Sequence, residues 1–399
     1  MQVEKNERII SLDLVRALAI LHIICFHIYG PLGLAYNFGM YHERHVQFTI
    51  FMKIMNYVFY LLFDNGSISV YVFILLSGFS LAVHYKPEQN LVSFYKRRLE
   101  KILFPFYNVF FFEIIFQTII KFFLSAKMNS MLGKQTPVQS FIMSFNLHTI
   151  LIAFTFPFLF DFSGYYLRQI NDSLWYMPLI IECYLLFPLL FKVCKKIGIK
   201  KFNILASLGN VFYLAFCILI LHLKQNGFRS VDNVAIRLFP AYMSAFYFGI
   251  GLGIQFTQQK KFIVAKKYLL LSCIIFPLLL FFKTTPIFEI LFYPIEGIAL
   301  FYIFYLLTTK ILTIRSLTYF LQQIAKKSYS LYLFHVPLIN PFLYFSYFLL
   351  KLFPHSFLWV LSLESFILFL PILYFITLFI DKLNMSRRIY AFCSPFFKL

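Results

Sequence analysis

Two side chains that could carry chemistry lie in the first apolar segment of the chain. Arg16 and His27 stand eleven positions apart in RIISLDLVRALAILHIICFHIYG. On an α-helix, eleven steps of about 100° return to within about 20° of the starting direction, so both side chains share one face. Charged and titratable groups at membrane depth are costly, and they usually face a bundle interior or a watery cavity. The spacing therefore makes both residues candidates for a functional site inside a helical membrane bundle, with a structural histidine bonded to a backbone carbonyl as the alternative for His27.

The composition predicts an all-α integral membrane protein. Of the 399 residues, 61% are hydrophobic and only 13% are charged, and the mean hydropathy is +0.77. A soluble domain carries about twice that charged fraction. Apolar stretches of about twenty residues recur along the chain, and each is long enough to cross a bilayer. We predict one membrane domain over residues 1–399, with no soluble domain.

The basic residues predict about ten transmembrane helices with both termini in the cytoplasm. With this topology, 24 of the 36 Lys and Arg residues fall on the cytoplasmic side, as the positive-inside rule requires. Two further apolar stretches, 48–63 and 141–160, would break this bias as spans, so we interpret them as re-entrant, interfacial or packed outer helices. The predicted spans are 9–29, 66–84, 102–123, 174–191, 203–223, 235–256, 267–283, 287–308, 328–350 and 357–380.

The charge and cysteine patterns argue against nucleic-acid binding and against a metal site. The net charge of +20 comes from basic residues in short loops between apolar runs. Membrane topology and anionic lipid account for such loops, so membrane lipid is the expected partner and nucleic acid is not. The six cysteines are isolated and lack metal-ligand spacing. We therefore expect buried thiols and no bound metal.

The N-terminal part of the chain resembles two motifs of acyltransferase family 3, the multi-span membrane enzymes that O-acylate bacterial surface glycans. SLDLVRALAILHIICFH resembles the opening signature of that family, with Asp13, Arg16 and His27 at its aspartate, arginine and histidine. SISVYVFILLSGFSL resembles the second-helix motif that ends in S-G-F, and Ser77 is the serine of that motif.

Three later blocks resemble further motifs of the same family, in the family's order. FYKRRLEKILFPFY resembles its basic cytoplasmic motif through Arg97 and Arg98, although Lys101 replaces a family arginine. Lysine keeps the charge but loses the bidentate fork for phosphate. LWYMPLIIECYLLFPLL contains the family's acidic residue as Glu182, and SYSLYLFHVPL contains its histidine as His335. Five motifs in order cover residues 11 to 338, which makes the resemblance specific.

The resemblance implies transfer of an acyl group from cytoplasmic acyl-CoA, most commonly acetyl-CoA, to a hydroxyl of a glycan or lipid-linked saccharide at the cell membrane. Acyl-CoA would be a substrate, and no bound cofactor is expected. Histidine accepts protons near neutral pH, so His27 is the expected base. Arg97, Arg98 and Lys101 would hold the coenzyme phosphates at the cytoplasmic mouth. Arg16 would guide the pantetheine arm or polarise the thioester.

Supporting roles are expected for four residues, and three of them have a structural alternative. Asp13 or Glu182 could hold Arg16 in an ion pair, and hydrogen bonding between helices would explain Glu182 and His335 equally well. Ser77 is the fourth supporting candidate.

Two other side chains bear on the histidine chemistry. His22 points about 140° away from His27 around the helix, so packing is its expected role. Many family members carry an acidic residue where this chain has Tyr71, which leaves the partner that orients His27 open.

Two other function classes fit parts of the pattern. Buried Arg, His and Glu could form an ion or proton relay in a polytopic carrier or flippase. An inactive relative could act as a sensor or scaffold, although His27 is present. If the chain is an enzyme, it either acts alone or hands the acyl group to a separate periplasmic or extracellular transferase.

Overall fold

The apolar runs of the chain form helices, in which backbone polar groups are satisfied within each segment, as a membrane interior requires. The computed structural model describes residues 2–35, 50–132, 171–223, 237–259, 266–281, 286–352 and 358–384. The regular secondary structure of these ranges is entirely helical, which confirms the predicted all-α class. The α-helices are α1 (Gln2–Ala35), α2 (Ile50–Phe63), α3 (Ile68–His84), α4 (Leu91–Leu132), α5 (Tyr176–Ile197), α6 (Ile199–Leu223), α7 (Phe239–Gln259), α8 (Lys266–Phe281), α9 (Pro286–Ile311), α10 (Arg315–Leu352) and α11 (Leu358–Leu383), and a short 3-10 helix, Asp172–Trp175, precedes α5.

Each predicted span overlaps one of these helices, and the protein is a membrane protein. The ambiguous stretch 48–63 forms α2, whose 14 residues reach about 21 Å, less than the roughly 30 Å of a bilayer core. The stretch 141–160 lies outside the described residues. Within the described ranges, five helices are long and apolar enough to cross a membrane: Ile10–Gly30, Ser173–Ile197, Ile199–Leu219, Glu289–Ile311 and Leu363–Leu383. Ten crossings and cytoplasmic termini stay predictions.

Two helices are much longer than a bilayer requires. Helix α4 has 42 residues and α10 has 38, which correspond to about 63 Å and 57 Å. Both begin about a dozen residues before the apolar part that defined the predicted span. The added turns carry basic side chains, so the basic motif is a helical extension of α4 rather than a loop.

Helix α3 is the central element of the described bundle, and its closest neighbour is α7. A Cβ atom on Gly78 would lie 2.5 Å from the carbonyl oxygen of Phe246, and one on Gly253 would lie 2.7 Å from the carbonyl oxygen of Phe79. A Cβ on Gly249 would overlap the carbonyl of Leu75. Small residues permit such close backbone packing in membrane bundles. The glycine of the S-G-F motif therefore has a packing role.

The helix directions agree with the predicted topology where contacts define them. The Tyr329 hydroxyl donates to the carbonyl of Ile102 at 3.2 Å, and further along, the rings of Phe112 and Phe334 lie 5.5 Å apart. Both sequence numbers rise together, so α4 and α10 run in the same direction. The topology requires this of the third and ninth spans.

A Gly249→Ala substitution should destabilise the α3–α7 contact. The added methyl group overlaps backbone atoms of Leu75, which cannot rotate away. We expect a loss of about 1–3 kcal/mol, as for overpacked cores, measured as a lower unfolding temperature of the purified protein. Gly30→Ala is the matched control, because a Cβ on Gly30 meets nothing within 4 Å. An unchanged unfolding temperature for Gly249→Ala would contradict the close packing.

Candidate active site

Side chains from α1, α3, α4, α5 and α10 surround a cavity of about 420 Å³. This volume lies within the usual range of small-molecule sites, about 300–1,000 Å³. Its walls combine hydroxyl groups, aromatic rings and cationic side chains. They comprise Arg16, Phe73, Ser77, Ser80, Leu81, Arg98, Lys101, Ile102, Tyr176, Ile180, Tyr184, Ala325, Lys326, Ser328, Tyr329 and Tyr332.

Four cations from three different helices face this cavity. Arg16 comes from α1, Arg98 and Lys101 come from the basic extension of α4, and Lys326 comes from α10. The described lining residues include no carboxylate. A concave surface with one sign of charge attracts an oppositely charged ligand. The cavity is therefore suited to an anionic molecule with an uncharged part.

Arg98 illustrates why this cavity favours an anion. Its guanidinium lies 5.7 Å above the ring of Phe94 and is partly buried. Burial lowers the pKa of Arg98, the Tyr184 phenol opposes that shift, and the adjacent Arg97 adds to it. A bound anion would supply the negative charge that favours the protonated guanidinium.

Arg97 is not among the residues that line the cavity. It is exposed, and its Nη2 donates a hydrogen bond to Oε1 of Gln89 at 2.7 Å. The structure therefore brings together two of the three predicted coenzyme-binding cations, Arg98 and Lys101, and adds Lys326 to them.

Arg16 is held by a neighbour on its own helix. Its Nη1 donates to Oδ1 of Asp13 at 3.0 Å, and the side chains are 31% and 42% exposed. Between the two predicted ion-pair partners, this geometry selects Asp13. Glu182 lies on α5, and its Oε1 has no hydrogen-bond partner within the described part of the chain. Ser77, the fourth supporting candidate, lines the cavity together with Arg16.

His27 and His335 form a histidine pair outside the cavity lining. Their ring centroids lie 4.8 Å apart at an interplanar angle of 60°. His335 is fully buried, and its Nδ1 lies 2.5 Å from the carbonyl oxygen of Tyr332. A carbonyl can only accept, so this contact places the proton on Nδ1 and leaves the Nε2 lone pair available. Nε2 has no hydrogen-bond partner among the described residues.

Tyr332 borders both the cavity and the histidine pair. Its ring lines the cavity, lies 5.5 Å from the ring of His335 and lies 5.1 Å from the ring of Tyr176. Arg16 and His27 share a helix face as predicted, but Arg16 lines the cavity, whereas His27 lies beside His335 and is not among the lining residues. The site thus has a cationic compartment and a histidine compartment.

Two further side chains noted in the sequence are accounted for by packing. His22 Nδ1 lies 2.7 Å from Oγ of Ser69, which agrees with the structural role expected of it. Tyr71 is buried and stacks on Tyr242, with ring centroids 4.2 Å apart. The acidic residue of other family members is thus replaced here by part of an aromatic stack.

Sequence reasoning missed three important cavity residues, Lys326, Tyr176 and Tyr332. The sequence could have indicated Tyr332, because it belongs to the SYSLYLFHVPL motif and precedes His335 by about one helical turn. In the sequence, Lys326 is one of several basic residues that the predicted topology places on the cytoplasmic side. Its place in the cavity follows from the early start of α10, which the apolar pattern does not show.

Comparison with known protein families identifies the class of this protein. The family model of acyltransferase family 3, described as an acyltransferase domain, matches residues 9–380, nearly the whole chain. The chain belongs to acyltransferase family 3, which confirms the resemblance predicted from the five motifs. The protein is therefore a membrane acyltransferase. Searches of curated proteins and of solved structures returned no match.

A Tyr332→Ala substitution should open the cavity toward the histidine pair. The ring that would be removed both lines the cavity and contacts the ring of His335, so its loss should give a small reagent in the cavity access to His335. We expect diethyl pyrocarbonate to modify His335 at least tenfold faster than in the wild type, measured by peptide mass spectrometry. Tyr319→Ala, at an exposed position of the same helix, should leave the rate unchanged. Equal rates in all three proteins would contradict the barrier role of Tyr332.

Proposed function

We propose that this protein transfers an acyl group, acetyl in the first instance, from coenzyme A to a hydroxyl of a glycan or lipid-linked saccharide. The supporting observation is the shared cavity of Arg16, Arg98, Lys101 and Lys326. Tyr332, which also lines this cavity, contacts His335, and His335 contacts His27. The phosphates of coenzyme A supply the negative charge that such a cavity favours, and the pantetheine arm supplies the uncharged part.

In the proposed arrangement, Arg98 and Lys101 bind coenzyme phosphates at the cytoplasmic mouth. Both are on the first turns of α4, ahead of its apolar part. Arg16 lies within its predicted span, 9–29, whereas Arg98 and Lys101 precede theirs. It would therefore contact the pantetheine arm or the thioester carbonyl. Arg97, exposed and bonded to Gln89, is assigned to membrane topology instead.

The proposed reaction uses His27 as the base. The imidazole accepts the proton of the acceptor hydroxyl while the hydroxyl oxygen attacks the thioester carbonyl carbon. The carbon–sulfur bond then breaks, and the departing thiolate takes the proton to give free coenzyme A. His335 lies against His27 and would fix its orientation in place of the acidic residue that Tyr71 replaces.

The proposed setting is the cytoplasmic (inner or plasma) membrane, with several crossings of the bilayer. The donor would reach the basic mouth from the cytoplasm, and the acceptor would meet the acyl group near the outer end of α1. The product ester either forms here or is passed to a separate periplasmic or extracellular transferase. Membrane lipid is the other expected partner.

A His27→Ala substitution should abolish acyl transfer. Losing a general base lowers the rate by about 10²- to 10⁴-fold. The measurement is release of free coenzyme A from acetyl-CoA by protein in nanodiscs, with a mixed glycan extract as acceptor. His22→Asn, which retains a side chain able to bond Ser69, is the control and should keep most activity.

The same assay separates the alternatives. Cleavage that survives in His27→Ala but disappears in His335→Ala would move the base to His335. A wild-type protein that neither binds nor cleaves acetyl-CoA would contradict the proposal and favour the carrier.

Neutralising the cavity cations should weaken coenzyme binding. The double variant Arg98→Gln, Lys101→Gln loses two charged phosphate contacts, so we expect KM for acetyl-CoA to rise about tenfold or more. The matched control is Lys96→Gln, Arg97→Gln, which removes two charges from the same helix at exposed positions. Equal KM increases in both variants would mean that the basic segment acts only through its overall charge.

A further inference from the structure

A proline in α10 frees a backbone carbonyl beside His335. Pro337 has no N–H group, so the carbonyl of Leu333, four residues earlier, lacks its usual helical donor. Leu333 is fully buried. A buried carbonyl without a hydrogen bond is unfavourable, so a donor from elsewhere in the protein is needed.

Two side chains from the segment before α5 supply this donor. Asn171 Nδ2 lies 3.0 Å from the Leu333 oxygen, and Ser173 Oγ lies 3.3 Å from it. Both side chains are buried. Asn171 Nδ2 makes the shorter of the two contacts and is the principal donor. The Ser173 hydroxyl has a single proton, and its shorter hydrogen bond, at 2.7 Å, is the one that it donates to Asn171 Oδ1.

The Asn171 amide is itself held in a fixed orientation. Its Oδ1 accepts from the backbone N–H of Ser173 at 2.9 Å and from the Ser173 hydroxyl. With the oxygen occupied by two donors, the amide nitrogen must point toward Leu333. A preorganised donor of this kind loses little conformational freedom when it makes its contact.

We propose that Asn171, supported by Ser173, is a positioning residue for His335. Leu333 and Pro337 each lie two residues from His335, so the contact completes the interrupted turn that carries the imidazole. The same turn includes the Tyr332 carbonyl that accepts from His335 Nδ1. Fixing this turn fixes the imidazole against His27. The inference rests on the proposed function insofar as it assigns the histidine pair a role in acyl transfer.

A double-mutant cycle between Asn171→Ala and Pro337→Ala tests the inference. Alanine at 337 restores the N–H that the Leu333 carbonyl lacks, so it should make the Asn171 amide dispensable. In the wild-type background, Asn171→Ala should lower the unfolding midpoint by several degrees and kcat by about 10- to 100-fold, since small displacements of reacting groups are costly. KM for acetyl-CoA should stay within about twofold, because the cationic mouth is untouched. In the Pro337→Ala background, both effects should fall by at least half.

Two variants make the cycle specific. Asn171→Asp keeps the acceptor for Ser173 but loses the donor to Leu333, so it should behave like Asn171→Ala. Asn210→Ala removes a comparable amide, which donates to the Pro240 carbonyl at 2.7 Å between α6 and α7. It should lower the unfolding midpoint equally in both backgrounds without a selective loss of kcat.

The readouts separate failure of this inference from failure of the proposed function. Equal effects of Asn171→Ala in both backgrounds, or wild-type behaviour of Asn171→Asp, would overturn the contact. Coupling in the unfolding midpoint without coupling in kcat would overturn the positioning role.

If the wild type does not cleave acetyl-CoA, the proposed function fails. The rate at which diethyl pyrocarbonate modifies His335 in a Tyr332→Ala background then reports its position, and a rate that Asn171→Ala leaves unchanged would overturn the inference.

Discussion

A polar group inside this helical bundle is stabilised when it finds a partner within the protein, because apolar surroundings offer none. The candidate site depends on such contacts. Arg16 is paired with Asp13 on its own helix, the Nδ1 of His335 is bonded to a carbonyl one turn away, and the carbonyl left open by Pro337 is bonded by Asn171. Each of these partners also fixes the direction of the side chain or helical turn that it contacts, so the same contacts satisfy these polar groups and orient the site.

Helix α10 connects the two compartments. Ser328, Tyr332 and His335 recur at spacings of four and three residues, which places them on one helical face. The first lines the cavity, the second closes it and the third meets His27. Because α10 begins before its apolar part, it also places Lys326 in the lining of the cavity. Helix α10 therefore connects the cationic mouth of the cavity with the histidine pair that could accept a proton.

The helical class and the family could be predicted from composition and motifs, whereas the cavity could be predicted only in part. The shared face of Arg16 and His27 follows from helical periodicity, but their separation into two compartments depends on Tyr332, which belongs to another helix. Arg97 and Arg98 are adjacent arginines of the basic motif, and the sequence does not show which of them faces the cavity. Only the rotation of α4 in the bundle decides that Arg98 faces the cavity. The contact between Asn171 and Leu333 joins residues 162 positions apart, so a local sequence pattern does not predict it.

The tyrosines between the compartments have a chemical consequence for acyl transfer. Water that reached the thioester beside an imidazole base would compete with the acceptor hydroxyl as nucleophile, and a closed site suppresses that side reaction. The rings of Tyr332 and Tyr176 lie 5.1 Å apart, both line the cavity, and the ring of Tyr332 also contacts the ring of His335. In the proposed reaction, an acyl group that moves from the cavity to the histidines passes these rings, and a short group displaces them least. Under the proposed function, the packing of α5 against α10 at these two rings therefore favours a small acyl group such as acetyl.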